Sequence, residues 1–274
     1  MIVANDASVF AARPQGVNEA RVSSSSIVLE VAGVTKTFAG RTAIEDISFS
    51  ATGGEFLALL GPSGAGKTTL LRCMAGLTVS DRGTVRLDGT DIAALVRRER
   101  RRIAVVFQQF NLVGRLTALD NVLAGRLGHV PAWRGMLRRF HRDDRFIAME
   151  CLERVGLLTH AQQRADTLSG GQQQRVAIAR ALAQRPEVIL ADEPIASLDP
   201  KIGAGILELL RGICHDDGVA VVCSLHQVDM ARAYADRIIG LAHGRTVADA
   251  PTAAFDAQAM IQLYDSDAKD SPQK

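Results

Sequence analysis

Residues 56–75 read FLALLGPSGAGKTTLLRCMA, an apolar run followed by a glycine-rich loop and a segment of helical character. The loop is Gly61-Pro62-Ser63-Gly64-Ala65-Gly66-Lys67-Thr68, which fits the pattern G-x-x-x-x-G-K-[ST]. Glycines let consecutive backbone N–H groups turn inward and form a nest for phosphate oxygens at a helix N-terminus. The lysine of this pattern reaches the β- and γ-phosphates, and the next hydroxyl completes Mg²⁺ coordination. The stretch therefore predicts a phosphate-binding loop, and we expect Gly61 to Thr69 to bind a nucleotide.

A buried strand, a glycine loop and a helix in succession are typical of the core of an α/β sheet. Two alternating segments with strand character precede this unit, Ile27–Val34 and Ala43–Ser50. Further apolar runs with the character of buried strands follow at Ile103–Phe107, Val188–Ala191 and Val219–Ser224. Between Thr117 and Leu168 the apolar residues recur at helical spacing instead. The chain is therefore predicted to be an α/β sheet domain with a helical insert.

The overall composition is that of a globular protein. Of the 274 residues 47% are hydrophobic and 23% are charged, which excludes wholesale disorder. The 32 basic and 30 acidic residues nearly cancel, so the net charge does not indicate a partner nucleic acid. We predict one domain over residues 27–264, with the helical insert at about 109–168. Small and polar residues predominate in residues 1–26 and 265–274, which we predict to be disordered.

The sequence lacks the usual signals of export and of membrane insertion. No apolar run approaches the roughly 18 to 20 residues that a membrane span requires. No basic region followed by an apolar stretch opens the chain, so we expect no cleaved signal peptide. The cysteines Cys73, Cys151, Cys214 and Cys223 lie far apart, and we predict reduced, mostly buried thiols. These features favour a cytosolic protein, with attachment to a membrane surface left open.

Two carboxylates end the third of the predicted buried strands. Val188–Ala191 is followed directly by Asp192 and Glu193. A carboxylate at a strand edge can hold Mg²⁺ through the shell of the metal, and a second one can polarise an attacking water. Because a phosphate-binding loop precedes them, we predict that Asp192 serves the metal and that Glu193 is catalytic.

A second glycine pair opens another helix. The stretch Leu168-Ser169-Gly170-Gly171-Gln172 leads into a helical run that ends near Ala183. A serine and two glycines at this point predict a second helix N-terminus that can face phosphate. One chain needs only one such site for one nucleotide, so the second is expected to face a nucleotide held by another copy. The sequence therefore favours a head-to-tail homodimer with two nucleotides between facing subunits.

The second glycine stretch resembles the signature of ATP-binding cassette ATPases, and the resemblance spans about Ile27 to Tyr264. It implies that ATP and Mg²⁺ are the cofactors. It also implies the family's fold: a P-loop (RecA-like), mostly parallel sheet core, an N-terminal antiparallel β subdomain and an inserted α-helical subdomain.

The resemblance implies roles for residues that follow the family's order. Phe38 matches the aromatic residue that stacks on adenine. Gln108 matches the glutamine that senses Mg²⁺ and water and couples to a membrane subunit. His226 matches the histidine that contacts the γ-phosphate. The loop that crosses the dimer interface is matched by Ser197-Leu198-Asp199.

Two classes of function fit such an ATPase: the motor of a membrane transporter, or a soluble cassette protein of DNA repair, translation or enzyme assembly. Repair proteins place a long coiled coil between the loop and the signature, and the interval from Lys67 to Ser169 has no sustained heptads. Translation proteins usually carry two cassettes, and this chain has one. We favour a transporter, which implies a membrane permease dimer as partner, a peripheral position on the cytoplasmic face of a bacterial inner membrane, and no nucleic acid.

The helical insert carries the resemblance that concerns the transported substrate. The segments Phe110–Thr117, Asn121–Gly128 and Gln163–Asp166 are similar to the ATP-binding subunits of bacterial phosphonate importers. That similarity implies uptake of phosphonates or related phosphorus oxyanions, delivered by a periplasmic binding protein. A cassette protein of the carbon–phosphorus lyase machinery is similar in sequence but is not a transporter, and it stays open as an alternative. An importer ATPase for another substrate is the second alternative.

Arginines in and near the insert permit two interpretations. The set Arg134, Arg138, Arg139, Arg142 and Arg145 fits anionic lipid headgroups or a membrane partner, and fits a solvated helix face equally well. The run Arg97–Arg102 precedes a predicted buried strand, so we interpret it as a solvated helix end rather than a nucleic-acid site.

Overall fold

The computed structural model describes residues 26–96, 98–131, 133, 135, 137 and 139–255. The predicted disorder of residues 1–25 and 265–274 and the predicted end of the domain at residue 264 lie outside these ranges. So do three of the arginines considered above, Arg97, Arg134 and Arg138.

Ten strands and six α-helices make up the described part of the chain. The strands are β1 (Ile27–Phe38), β2 (Arg41–Thr52), β3 (Phe56–Leu60), β4 (Arg82–Leu87), β5 (Thr90–Asp91), β6 (Ile103–Val106), β7 (Val188–Ala191), β8 (Ala220–Leu225), β9 (Arg237–Ala242) and β10 (Arg245–Pro251). The helices are α1 (Lys67–Met74), α2 (Ala118–Leu123), α3 (Arg142–Arg154), α4 (Gly170–Leu182), α5 (Pro200–Asp217) and α6 (Val228–Tyr234). None of these helices combines the length and the apolar character that crossing a membrane requires.

The N-terminal strands form an antiparallel sheet of four strands in the order β2-β1-β4-β5. A tight turn joins β1 to β2 through Ala39, whose φ of 46° is left-handed, and Gly40. On β1 the buried residues Leu29 and Val31 alternate with partly exposed neighbours, so one face of the sheet packs on the core. This sheet matches the antiparallel β subdomain expected from the sequence.

The second sheet has six strands in the order β10-β9-β3-β8-β7-β6. Its strands from β9 to β6 are parallel, and β10 is an antiparallel edge strand. The register sets Leu60 beside Leu225, Cys223 beside Ala191 and Ala191 beside Val106. The carboxyl ends of β3, β8, β7 and β6 therefore lie along one edge, where open α/β sheets bind their ligands.

The central strand β3 is buried on both faces, which explains why its sequence is a continuous apolar run. Leu57 and Leu59 belong to the core that the parallel sheet shares with α1 and the antiparallel sheet. Phe56, Ala58 and Leu60 face the other core, which includes residues of α4 and α5.

The described residues of the helical insert, at about 109–168 and called the helical part below, contact α4 at several points. Arg126 donates from Nη1 to the carbonyl of Ala183 (2.9 Å), and Arg180 of α4 donates from Nη1 to the carbonyl of Asn111 (2.6 Å). Gly125 packs so closely that a Cβ there would lie 2.2 Å from the carbonyl oxygen of Arg180. These contacts join the C-terminal end of α4 to Asn111 and to the turn that follows α2.

Candidate functional site

The glycine-rich loop connects β3 to α1 at the carboxyl edge of the parallel sheet. Gly61 has a φ of 158°, and a Cβ there would lie 2.2 Å from the carbonyl oxygen of Leu241. Gly66 has a φ of 101°, and a Cβ there would lie 2.6 Å from the carbonyl oxygen of Ala43. Only glycine fits two positions pressed against neighbouring backbone, so the loop is held at both of its ends.

The side chain of Lys67 folds back on the glycine-rich loop. Its side chain is 5% exposed, and Nζ donates to the carbonyls of Gly61 (2.7 Å) and Pro62 (3.0 Å). Burial lowers the pKa of this amine from its ordinary value, and the carboxylates of Glu193 and Asp192 partly offset the change. A ligand with negative charge would favour the ammonium form, so the lysine suits a phosphate.

Two hydroxyls meet the carboxylate of Asp192. Thr68 donates from Oγ1 to Asp192 Oδ1 (3.0 Å), and Ser224 donates from Oγ to the same oxygen (3.0 Å). Since Thr68 gives its proton to the carboxylate, its lone pairs stay available to a cation. A hydroxyl beside a carboxylate is the hard oxygen donor set that Mg²⁺ prefers. The residues present therefore fit the magnesium ion that the sequence implies.

Glu193 has an unusual backbone for its residue type. Its φ is 47°, in the left-handed region that side chains other than glycine seldom adopt. Its N–H donates to Ser224 Oγ (2.8 Å), and its carboxylate oxygen Oε1 lies 2.5 Å from His226 Nε2. The structure thus brings together two side chains that are 33 positions apart in the sequence, one predicted to polarise the attacking water and the other to contact the γ-phosphate.

Gln108 and Phe38 stand at the margin of this cluster. Gln108 lies just past the end of β6, at the same sheet edge, and its side chain is exposed. Within the described residues no hydrogen bond joins it to Thr68, Asp192 or Glu193. Phe38 ends β1 and is 50% exposed, with Lys36 Nζ 5.3 Å from the ring centroid. An exposed ring of this kind can stack on a planar base.

The second glycine stretch begins α4. Ser169 is the N-cap: its Oγ accepts from the N–H of Gln172 (3.3 Å), while Gln172 Oε1 accepts from the N–H of Ser169 (2.9 Å). Leu168 is buried, whereas Ser169 is exposed. In the described part of the chain no hydrogen bond connects the residues 168–172 to the residues 61–69.

The loop Ser197–Asp199 follows the two carboxylates in the chain and contacts the second glycine stretch through Leu198. Asp199 caps α5 by accepting the N–H of Lys201 (2.9 Å). A Cβ on Gly170 would lie 3.4 Å from Leu198 Cδ2, and one on Gly171 would lie 2.5 Å from Ile202 Cγ2. The start of α4 therefore packs directly on this loop and on the first turn of α5.

Sequence reasoning missed Ser224. It lies within a run interpreted only as an apolar strand, yet its hydroxyl contacts both carboxylate residues of the site. A single polar residue in a buried strand, just before His226, was the available signal, because a buried hydroxyl requires partners.

A separate cluster of potential metal ligands lies at the opposite end of the strands. Cys214, His215 and Asp236 bring their ligand atoms within 4.8 Å of one another. Asp236 Oδ2 already accepts the N–H of Phe56 (2.8 Å) and lies 3.1 Å from His215 Nε2. These contacts join the start of β3 to the end of α5, so the cluster has a structural explanation.

The loop against a helix N-terminus, the buried lysine and the hydroxyl–carboxylate pair together define a nucleotide-binding ATPase of the P-loop class. Comparison with known proteins narrows this class. A family model described as ABC transporter matches residues 44–196. By this match and by the relatives below, the chain belongs to the ABC transporter family, in which ATP binding and hydrolysis are coupled to transport.

Curated relatives match almost the whole chain. The phosphonates import ATP-binding protein PhnC of Bradyrhizobium diazoefficiens is 48% identical over 247 residues, 89% of this chain and 92% of that protein. The protein of the same name from Stutzerimonas stutzeri is 50% identical, over 87% of this chain and 90% of that protein. A hypophosphite import ATP-binding protein, HtxD of Stutzerimonas stutzeri, is 47% identical, over 87% of this chain and 71% of that protein.

Solved structures agree with the fold. A post-hydrolysis dimer of the ATP-binding cassette MJ0796, bound to ADP and Pi, matches with a TM-score of 0.71 and 36% identity, over 82% of this chain and 98% of that one. A nucleotide-free ATP-binding cassette of an ABC transporter matches with a TM-score of 0.75 and 25% identity, over 88% of this chain and 96% of that one. The predicted fold class, a parallel core with an antiparallel subdomain and a helical insert, is confirmed.

Proposed function

We propose that this chain is the ATP-hydrolysing subunit of an importer that takes up phosphonates, or related phosphorus oxyanions, across a bacterial inner membrane. The observation that carries the proposal is near-full-length similarity, at 48% and 50% identity, to two phosphonate import proteins. The hypophosphite import protein, at 47% identity, supports the wider wording, because relatives this similar serve different phosphorus oxyanions.

In the proposed ATP site, the loop from Gly61 to Thr69 holds the phosphates with its backbone N–H groups, and Lys67 supplies a positive charge to them. Thr68, Asp192 and Gln108 would hold Mg²⁺, which neutralises phosphate charge when bound. Phe38 stacks on the adenine ring. Glu193 orients the attacking water, and His226, which already contacts Glu193, reaches the γ-phosphate.

The proposed working unit is a head-to-tail homodimer. Ser169 and Gly171, together with Leu168, Gly170 and Gln172, would cap the γ-phosphate held by the partner subunit. The packing of Gly170 and Gly171 on Leu198 and Ile202 would tie each cap to the loop Ser197–Asp199 at the interface.

The proposed membrane partner is a permease dimer that binds the helical part of the chain, at about residues 109–168. The subunit would then lie on the cytoplasmic face of the membrane as a peripheral protein. Gln108 would carry the coupling, because it lies at the catalytic sheet edge and immediately precedes the helical part. A periplasmic binding protein would deliver the substrate to the permease.

Deletion of the gene tests this proposal. We expect the deletion strain to lose growth on a phosphonate as sole phosphorus source and to keep growth on inorganic phosphate. A plasmid encoding the wild-type chain should restore growth, whereas one encoding Glu193→Gln should not. Normal uptake of radiolabelled phosphonate by the deletion strain, with no second importer in the genome, would refute the assignment of phosphonate as the transported substrate. Failure of the tagged chain to co-purify with a permease would refute the transport role.

A further inference from the structure

Ser224 is the one polar side chain of β8, which reads AVVCSL and is buried throughout. The residue is 0% exposed, so its hydroxyl depends on partners within the protein. Both partners are residues of the proposed ATP site: Oγ lies 3.0 Å from Asp192 Oδ1 and 2.8 Å from the backbone nitrogen of Glu193.

The direction of each bond is fixed by chemistry. The N–H of Glu193 can only donate, so Ser224 Oγ accepts it, and the hydroxyl proton is then free to go to Asp192. Asp192 Oδ1 receives a second proton from Thr68. With Oδ1 shared between two hydroxyls, the carboxylate is held in one orientation and Oδ2 is left for other ligands.

The second bond bears on a strained backbone. L-residues seldom adopt the left-handed region, and Glu193 lies there with a φ of 47°. Its N–H is held by Ser224, and its carbonyl accepts the N–H of Ala196 (3.2 Å). These two bonds set the direction in which the Glu193 side chain leaves the backbone, and that direction brings it to His226.

We propose that Ser224 is a positioning residue for ATP hydrolysis: one buried hydroxyl orients the carboxylate of Asp192 and holds Glu193 in its left-handed conformation. The proposal rests on the proposed roles of these two carboxylates. Because Ser224 is fully buried, it is proposed to act through these two residues and not on the nucleotide itself. Loss of its hydroxyl should therefore slow ATP turnover and lower the affinity of the site for the metal ion, while ATP still binds to the loop.

The test compares three variants of the full chain. Ser224→Ala removes the hydroxyl and keeps the Cβ. Ser224→Thr keeps the hydroxyl, and Ser224 helps to line a cleft of about 90 Å³ that offers space for the added methyl. The matched control is Cys223→Ala, which removes one buried heavy atom from the neighbouring position of the same strand, on the face of the other core.

Removing a group that orients a metal ligand typically costs about 10- to 100-fold in metal affinity or activity. We expect kcat of Ser224→Ala to fall by that factor, with KM for ATP within about threefold of wild type. We also expect the affinity for Mn²⁺, measured by electron paramagnetic resonance with a non-hydrolysable ATP analogue, to fall about tenfold. Ser224→Thr and Cys223→Ala should match wild type in all three measurements.

Three results would overturn the proposal: a Ser224→Ala protein that equals Cys223→Ala in kcat and Mn²⁺ affinity, one that loses ATP binding altogether, or a Thr variant with the same defect as Ala. Failure of the underlying site assignment is distinguishable, because it would appear as wild-type turnover in Glu193→Gln. That measurement does not involve Ser224.

Discussion

The ion pair between Arg126 and Asp144 is buried inside the helical part of the chain, and its removal should be severe. The side chains are 7% and 8% exposed, and Arg126 Nε lies 3.0 Å from Asp144 Oδ1. Asp144→Ala leaves the guanidinium buried with the carbonyl of Ala183 as its remaining described partner. Breaking a buried pair on one side costs about 3–5 kcal/mol, whereas folded proteins have only about 5–15 kcal/mol in total.

We expect Asp144→Ala to lower the free energy of unfolding by about 3–5 kcal/mol, measured in urea titrations followed by circular dichroism. An exposed pair provides the control: Arg86 and Glu30 lie 3.5 Å apart and are 46% and 44% exposed. Glu30→Ala should therefore cost less than about 1 kcal/mol. Replacing both buried partners, as Arg126→Met with Asp144→Leu, should recover part of the loss, because it removes the unpaired charge but leaves the carbonyl of Ala183 without its donor.

The reasoning would be refuted if Asp144→Ala cost no more than Glu30→Ala. It would also be refuted if the apolar double variant were as unstable as the single one, because the loss would then come from packing and not from the unpaired charge.

Three further outcomes follow from the site and from the buried thiols. Glu193→Gln should retain ATP and hydrolyse it very slowly, and wild-type turnover would contradict the catalytic role of Glu193. The variant should also accumulate as a dimer in size-exclusion chromatography with ATP, because a neutral side chain relieves like-charge repulsion at the γ-phosphate. Ser169→Arg should bind ATP without hydrolysing it, and mixed dimers with Lys67→Ala should regain activity because one site then has both halves intact; turnover independent of protein concentration argues against the shared site. Burial raises the pKa of Cys151 and Cys214 from 9.0 to about 12, so the folded protein keeps thiol protons that the unfolded chain loses. The urea concentration at the midpoint of unfolding should therefore fall as the pH rises from 9 toward 12. A midpoint that stays constant over this range contradicts the prediction.

Much of the catalytic edge could be predicted from the sequence because its signals are local. The loop pattern, the apolar run before it and the carboxylates after β7 each occupy a few consecutive residues. Parallel strands carry their ligands at their carboxyl ends, so placing each motif after a strand was enough to bring Lys67, Asp192 and His226 to one edge. The family resemblance then supplied the order of the remaining motifs.

The rest depends on contacts between distant parts of the chain. Ser224 bonds to residues 31 and 32 positions away, and nothing near it in the sequence indicates which partners it has. Arg102 belongs to a run interpreted as solvated, yet it donates to both carboxylate oxygens of Glu187, 85 positions away. The strands β4, β5, β9 and β10 and the helices α5 and α6 are not predicted from the sequence, because these elements carry none of the motifs on which the predictions rest.

The helical part contacts α4 near Arg180 and Ala183, so a rotation of α4 about that end displaces its other end, at Ser169. At about 1.5 Å of rise per residue, the 13 residues of α4 span about 20 Å. A tilt of about 10° around the end near Ala183 would move Ser169 by about 3.5 Å, many times the roughly 0.5 Å range of hydrogen-bond lengths. In the proposed dimer, a permease that rotates the helical part slightly would therefore move the proposed cap by more than a hydrogen bond tolerates, so that a graded movement at the membrane would become an on–off change at the partner's nucleotide.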